Sequence, residues 1–359
     1  MKTLSRRRLL HMAAAAGLGL AAGACQRTPA TGQAAASPPA AATTAPPTVA
    51  PTVVAPSPTG ALPTAQMPAP GATPSPVVAT PGATATPASE APAYLAAVHG
   101  EDPEAITRRA ILALGGMERF VSPGYDVIVK PNICNANHGY EYASTTNPTV
   151  VATLVRLCLE AGAQRVRVMD NPFAGSGEQA YARSGIREAV EAAGGEMEIM
   201  ARHRFVESEI PQGVDLKSWL FYKPILDADL VINVPIAKHH SMARLTLGCK
   251  NLMGCIEDRS AMHRNLGQRI ADLVSRVAPQ LTVMDAVRIL TANGPTGGNL
   301  NDVLLTNTVI ASHDIVAVDA YTTRLFGMQP DEIEYIAAAH RMGLGAMLLA
   351  ELDIAELEV

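Results

Sequence analysis

Short apolar runs alternate with longer amphipathic patterns from residue 93 to the end of the chain. The short runs predict strands, and the longer patterns predict helices. The helix predicted over 149–162 has Asn147 as its cap and Pro148 in its first turn. This alternation favours an α/β fold, with a mostly parallel sheet covered by helices on both faces. The predicted strands are 126–130, 165–170, 230–235, 281–285 and 308–312, and the other helices are 103–116, 179–194 and one that begins at Asp314.

The residues before this pattern have a different composition. Segment 26–92 is rich in Ala, Pro, Thr and Ser, and only Arg27 and Glu90 are charged within it. Such a segment cannot bury enough apolar surface to offset the entropy lost on ordering, so we expect a disordered tether that proline keeps extended. Residues 93–359 are then expected to form a single or bilobal α/β domain.

Residues 1–25 have the pattern of an export signal, with a basic start followed by small apolar residues. Segment 5–10 (SRRRLL) resembles a twin-arginine signal, and segment 22–25 (AGAC) resembles a bacterial lipoprotein cleavage box. We therefore expect export by the twin-arginine machinery and anchorage on the extracytoplasmic side through lipid on Cys25. A soluble N-terminal helix with a chance cysteine is the alternative.

The charge of the chain limits the classes of partner. The sequence has 28 Lys and Arg against 33 Asp and Glu, a net charge of −5, and 4% aromatic residues. Nucleic-acid binding needs a basic surface, so we expect no nucleic-acid partner. No apolar run reaches the roughly 20 residues that a membrane-spanning helix needs. The five cysteines are too scattered for a disulfide scaffold.

Polar side chains follow four of the predicted strands, at the point where each strand ends. Ligands of open α/β sheets bind beyond the carboxyl ends of the strands, so we expect these side chains to converge on one edge. Each of them, taken alone, could instead cap a helix or lie at a solvated strand end. The residues are Lys130, Asn132, Asp170, Lys238, His239, His240 and Asp285.

Segment 238–263 (KHHSMARLTLGCKNLMGCIEDRSAMH) is the richest in reactive side chains. Imidazole and thiolate groups of His240, Cys249 and Cys255 suit zinc, iron or copper. The two cysteines are six residues apart, which is not the spacing of a zinc finger or ribbon. The two cysteines could instead form a disulfide in an oxidising compartment. Lys238 and Lys250 favour a different use, the binding of an anion by point charges, and a structural loop is the third alternative.

These residues occur in a fixed order with other short motifs. The motifs are 129–132 (VKPN), 145–148 (TTNP), 160–163 (EAGA), 168–170 (VMD), 229–235 (DLVINVP), 238–239 (KH), 248–254 (GCKNLMG), His263, Asp285, 294–298 (GPTGG) and 314–319 (DIVAVD). Together they resemble the domain-of-unknown-function 362 family over about residues 125 to 325, which implies the α/β fold and the position of the site. Members are often joined to ferredoxin-like iron–sulfur modules, which the absence of a CxxCxxC run makes unexpected here. The glycine-rich turn 293–298 lacks the residue order of a phosphate loop, which favours a plain loop over a phosphate cradle.

Three functions remain open on these residues. In the first, an extracytoplasmic enzyme acts on a small anionic substrate by redox or isomerase chemistry, with a metal ion or iron–sulfur cluster as an optional cofactor. The second is a tethered module that binds a ligand or metal without turnover, and the third is a structural or assembly factor. For the enzyme, His239 or His263 would transfer protons and Asp170 or Asp285 would orient them. The substrate would be bound by Lys130, Asn132, Lys238, Lys250 and Asn251.

Overall fold

The computed structural model describes residues 92–359, and its central sheet has an apolar layer on each face. In β2 (Asp126–Pro131), Val127 and Val129 pack into one layer and Ile128 packs into the other. Successive side chains of a strand point to opposite faces, so a strand buried on both faces has a continuous apolar run. β7 (Leu230–Val234) is likewise buried along its whole length.

The remaining elements follow in chain order. The other strands are β1 (Leu95–His99), β3 (Arg165–Val168), β4 (Glu196–Met197), β5 (Phe205–Glu209), β6 (Ser218–Tyr222), β8 (Ile236–His240), β9 (Arg244–Thr246), β10 (Leu281–Leu290), β11 (Val303–Ser312) and β12 (Ile354–Glu358). The α-helices are α1 (Pro103–Ala113), α2 (Pro148–Glu160), α3 (Gly177–Arg183), α4 (Ile186–Ala192), α5 (Lys223–Asp227), α6 (Gly248–Asn251), α7 (Leu266–Val277), α8 (Ile315–Thr322) and α9 (Glu334–Arg341). The 3₁₀ helices are Met117–Arg119, Tyr140–Tyr142, Arg202–Arg204, Leu252–Cys255, Arg259–Asn265, Leu300–Asp302, Thr323–Phe326, Pro330–Glu332 and Leu349–Glu351.

The strands of the main sheet are mostly parallel. Their order is β12-β1-β11-β10-β7-β2-β3-β4, and β8 pairs with β10 and with β9. Within residues 92–359, β11 is antiparallel to both of its neighbours, and β9 is antiparallel to β8. The other pairs of this sheet are parallel. β5 and β6 form a separate antiparallel pair.

Helices cover both faces of the sheet. Helices α1, α2 and α4 pack in the layer that contains Val127, and α7, α8 and α9 pack in the layer that contains Ile128. All described residues belong to one compact unit. The expected α/β fold with a doubly covered, mostly parallel sheet is therefore confirmed. Among residues 92–359, no helix combines the length and apolar character that crossing a bilayer requires.

Local backbone geometry explains where the predicted elements and the observed ones differ. The helix predicted over 179–194 is two helices, because Gly185 between them has a φ of 74°, the left-handed region that glycine tolerates best. The strands predicted over 281–285 and 308–312 continue into the long hairpin of β10 and β11. The cap of α2 is as predicted, since the Asn147 side chain accepts a hydrogen bond from the Thr149 amide at 2.9 Å.

Candidate functional site

A cavity of about 370 Å³ opens at the carboxyl ends of β2, β3 and β8. Helix α6 and the 3₁₀ helices Leu252–Cys255 and Arg259–Asn265 form further parts of its wall, with Pro295 and Thr296 of the glycine-rich turn. Parallel strands place their carboxyl ends on one edge, which explains why residues far apart in sequence meet here. The polar and reactive side chains on the wall include Lys130, Asn132, Cys134, Asp170, Lys238, His240, Lys250, Asn251, Arg259 and His263.

Lys130 is fully buried and paired with Asp170. The Lys130 Nζ lies 2.7 Å from Asp170 Oδ1, an ion-pair contact without hydrogen-bond geometry, and the side chains are 0% and 4% exposed. The ammonium also donates to the Pro131 carbonyl at 2.9 Å and to Asn251 Oδ1 at 3.1 Å. Asp170 Oδ2 accepts the Ile133 amide at 2.6 Å. Two of the three N–H donors of Lys130 are thus engaged in hydrogen bonds, and its charge is paired with Asp170.

Gly254 leaves the space that this ion pair fills. A Cβ at this position would lie 2.0 Å from Asp170 Oδ1 and 2.5 Å from Lys130 Nζ. Any larger residue would therefore push the two charged atoms apart. The second glycine of the 248–254 motif is therefore explained by the lack of space beside this ion pair.

Lys238 is also buried and bonded to the wall. Its Nζ donates to Asn132 Oδ1 at 3.0 Å and to the Ser144 carbonyl at 2.7 Å. Burial lowers the pKa of Lys238, and the neighbouring Cys134 opposes that shift. With two of its three N–H donors engaged, this lysine holds the wall of the cavity together.

Asn251 connects the first lysine to the sheet. Its Oδ1 accepts from Lys130 and, at 2.9 Å, from Asn132 Nδ2, while its Nδ2 donates to Asn233 Oδ1 at 2.8 Å. Asn233 in turn donates to the Gly248 carbonyl at 3.0 Å. These partners determine which end of the Asn251 amide faces Lys130. The network positions the polar groups of the wall rather than offering them to a ligand.

Lys250 differs from both other lysines. It is partly buried on the cavity wall, and within residues 92–359 its ammonium makes no hydrogen bond and no ion pair. Burial, followed by the charges of Lys238 and Arg259, lowers the pKa of Lys250 to about 7. Crowded positive charge favours the neutral amine, and a bound anion would reverse that effect.

The two histidines on the wall are held in opposite tautomers. His240 Nδ1 accepts the amides of Met242 at 3.1 Å and Ala243 at 3.2 Å, so the ring proton lies on Nε2. Burial, followed by the charge of Lys250, lowers the pKa of His240 to about 3, so the ring stays neutral. His263 Nδ1 lies 3.0 Å from the Ser260 carbonyl, which can only accept, so Nδ1 carries the proton and Nε2 is an acceptor.

His239 and Asp285 lie outside the cavity lining. His239 is between Lys238 and His240 on β8, so its side chain faces the other way, and its Nδ1 accepts the Gly294 amide at 3.1 Å. Asp285 accepts the amides of Asn147 at 2.7 Å and Val287 at 3.0 Å. Burial raises the pKa of Asp285 to about 6. Asp285 thus supports the start of α2 rather than a reacting group.

The metal-ligand candidates do not form a set. Cys249 and Cys255 are buried, and burial followed by the Asp319 carboxylate raises the pKa of the Cys249 thiol. Asp319 accepts the amides of Gly248 at 2.6 Å and Cys249 at 2.8 Å, so it supports the start of α6. Nδ1 of His240 already accepts two hydrogen bonds. No group of three or more His, Cys, Asp or Glu in the described part of the chain could hold a metal ion.

Arg259 is a charged residue of the cavity wall that was not predicted from the sequence. Its guanidinium donates to the Asn171 carbonyl and the Pro172 carbonyl, each at 2.9 Å, and pairs with no carboxylate among residues 92–359. Three of its five N–H donors remain for a ligand. In the sequence Arg259 follows Asp258, which suggests a solvated charge pair. Its place inside segment 238–263 was the available signal.

The family description "Domain of unknown function (DUF362)" matches residues 127–324. This chain belongs to that family. The match includes every residue named above on the cavity wall, so the family region contains the whole of the candidate site. The resemblance noted from the motifs is confirmed at this level.

Two similar proteins extend the comparison. The thylakoid-associated protein sll1697 of Synechocystis sp. is 30% identical over 251 residues, which cover 67% of this chain and 75% of that protein. The lactate racemase apoprotein of Thermoanaerobacterium thermosaccharolyticum is 11% identical, with a TM-score of 0.40. That alignment covers 61% of this chain and 54% of the racemase, so this chain spans about half the length of the racemase.

Proposed function

We propose that this member of the family is an extracytoplasmic enzyme that acts on a small anionic substrate in the cavity. The proposal depends on the composition of the cavity wall. Among the described lining residues there are four Lys and Arg side chains and a single carboxylate, that of Asp170. This local excess of basic residues occurs in a chain whose net charge is −5. Low-dielectric walls strengthen the attraction for an anion.

The size of the cavity limits the substrate. A volume of about 370 Å³ is at the lower end of ligand pockets, which are roughly 300 to 1,000 Å³. Apolar side chains, including Ile133, Phe173 and Met253, contribute the rest of the wall. A small carboxylate or phosphate with a short carbon skeleton suits both features.

Proton transfer is the chemistry that the two histidines support. With Nδ1–H directed at the Ser260 carbonyl, the neutral His263 ring presents Nε2 as an acceptor that can remove a proton from the substrate. His240 Nε2–H is a neutral donor and can stabilise negative charge that develops on a substrate oxygen. Together they supply a base and an oxyanion donor to one anion, as an isomerisation or a proton abstraction next to a carbonyl requires.

Anion binding is tested by calorimetric titration of the full chain with pyruvate, phosphate and acetate. Saturable binding of at least one of these anions is expected. Arg259→Gln should weaken it by roughly tenfold or more, since a hydrogen bond to a charged group contributes about 1.5–3 kcal/mol. Arg264→Gln is the matched control, because Arg264 lies in the same 3₁₀ helix, is exposed and does not line the cavity. Equal weakening in both variants would contradict the assigned site.

Turnover is tested by incubating the bound anion with the full chain in deuterated water. Incorporation of deuterium at carbon is expected, and His263→Gln should abolish it while leaving the affinity for the anion within about threefold. Binding without any exchange or conversion would favour the alternative, a tethered binding module without turnover.

The place of the chain in the cell is proposed from segment 1–25, which lies outside the described residues. Export would use the twin-arginine machinery through Arg6 and Arg7, and lipid on Cys25 would anchor the protein on the extracytoplasmic side. Labelling of growing cells with a fatty acid should mark the wild-type chain and leave Cys25→Ala unmarked. Retention of the label in that variant would remove the anchor from the proposal.

A further inference from the structure

The lysines of the described region divide into two groups by the partners of their ammonium groups. The group with partners has four members. Lys130 and Lys238 each make two hydrogen bonds in the cavity wall, and outside it Lys217 donates to the Gly213 carbonyl at 2.8 Å and Lys223 pairs with Asp227. Lys250 makes no hydrogen bond or ion pair within residues 92–359, and it lines the cavity. An amine without donors engaged is free to react with a ligand.

The neighbours of Lys250 favour an amine that can act as a nucleophile. Lys238 and Arg259 repel a proton from Lys250, and burial withholds the water that would solvate its charge. With a pKa of about 7, roughly half of the side chains are neutral at pH 7, against fewer than about one in a thousand for an ordinary lysine. Desolvation beside another cationic group is a known way to activate a lysine.

Arg259 adds a carboxylate site beside this amine. Its guanidinium keeps three free donors, pairs with no carboxylate in the described part of the chain, and lines the same cavity. It is close enough to lower the pKa of Lys250. Guanidinium groups match carboxylates by two parallel hydrogen bonds. A carboxylate on Arg259 would leave the adjacent atoms of a short ligand near Lys250.

We propose that Lys250 is a covalent site, whose free amine condenses with the carbonyl carbon of a small 2-oxo acid while Arg259 binds the acid's carboxylate. The proposal rests on the proposed function, because it uses the same anion cavity, and it names the substrate class. The volume of about 370 Å³ accommodates a short 2-oxo acid.

The condensation balances without an oxidant or a reductant. The Lys250 nitrogen attacks the carbonyl carbon, a C–N bond forms, and the carbonyl oxygen takes up a proton to become a hydroxyl group. The nitrogen then gives up a second proton, the hydroxyl leaves with that proton as water, and the C=N bond of the imine forms. Amine and ketone thus give imine and water, and the two protons lost by nitrogen are the two protons gained by oxygen. His263 Nε2, which is an acceptor when the ring is neutral, lies on the cavity wall and can carry each proton between them.

The test is reductive trapping on the full chain with pyruvate and sodium cyanoborohydride, which reduces an imine to a stable secondary amine. Peptide mapping should find the modification at Lys250, with at least about tenfold less at Lys217 and Lys223, since a bound ligand has a high effective concentration at its site. Acetone, which has the carbonyl group without the carboxylate, should label Lys250 at least about tenfold less, because it cannot use Arg259. Acetate in excess should protect Lys250 from pyruvate.

Variants and binding data separate the failure of this proposal from the failure of the proposed function. Lys250→Arg keeps the positive charge and should bind pyruvate without forming the adduct, whereas Lys217→Arg should behave as the wild type. Mapping of the wild-type chain gives the site even where the variant fails to fold. Pyruvate that binds saturably but leaves Lys250 unmodified would overturn the covalent site alone. The absence of any saturable anion binding would overturn both proposals.

Discussion

The buried pair of Lys130 and Asp170 allows a sharp test of the structure through Asp170→Asn. The two charged atoms are 2.7 Å apart, and the side chains are 0% and 4% exposed. Asparagine keeps the shape, but when its oxygen accepts the Ile133 amide its NH2 group faces Lys130, so the substitution removes both the charge and the acceptor on that side. Lys130 would then be a buried cation without its partner. Breaking a buried pair in this way costs about 3–5 kcal/mol of the free energy of unfolding.

The assay is urea denaturation of the full chain, in which the midpoint should fall and the slope should stay unchanged. The matched control is Asp227→Asn, which removes an exposed pair with Lys223 whose side chains are 56% and 52% exposed. That change should cost less than about 0.5 kcal/mol, because solvent screens exposed pairs. Equal losses in the two variants, or a loss below about 1 kcal/mol for Asp170→Asn, would refute the reasoning about burial.

Three further predictions follow from the same site. Gly254→Ala should destabilise the fold by about 1–3 kcal/mol in the same urea assay, because the added Cβ would collide with Asp170 and Lys130. A loss smaller than about 0.5 kcal/mol would contradict the close packing of Gly254 against this ion pair. Affinity for acetate, which has no ketone to condense with the amine, should fall as the pH rises from 6 to 8, since Lys250 loses its charge near pH 7, and calorimetry in buffers of different ionisation enthalpy should detect proton uptake on binding. Burial raises the pKa of Asp285 to about 6, so its contribution to stability is fully present below about pH 4 and is lost as the pH rises through 6. Asp285 should therefore lower the free energy of unfolding of the wild type by about 1 kcal/mol between pH 5 and 7, and Asp285→Asn should abolish this part of the decrease. An unchanged pH profile in the variant would exclude this role of Asp285.

The comparison of sequence and structure is most instructive for the three lysines predicted to bind substrate. Sequence position puts Lys130, Lys238 and Lys250 at the same edge, and the structure indeed places all three on one cavity wall. Their partners then separate them, because two have their N–H donors engaged and one has none. Apart from the Pro131 carbonyl, the hydrogen-bond partners of Lys130 and Lys238 come from segments more than 90 residues away, so no local pattern could have distinguished these roles.

The histidines and cysteines show a similar division. His240 and His263 line the cavity, whereas His239 does not, because alternate residues of β8 face opposite sides. Residues 236–240 were not predicted to form a strand, and only in a strand do His239 and His240 point to opposite sides. The thiols of Cys249 and Cys255 lie in the apolar core, as their burial shows.

The sequence by itself determined the local elements and the edge at which they meet. Capping of α2 by Asn147 depends on neighbours in sequence, and the apolar run 127–129 of β2 depends on burial of both sheet faces. Periodicity and residue type are therefore enough to predict these features and the polar strand ends that follow. Tertiary structure alone decided which charges are paired, which tautomers the histidines adopt and which amine is free. Those properties depend on the position of a few atoms contributed by distant strands and loops, because the free energy of a buried charge is set by its immediate neighbours.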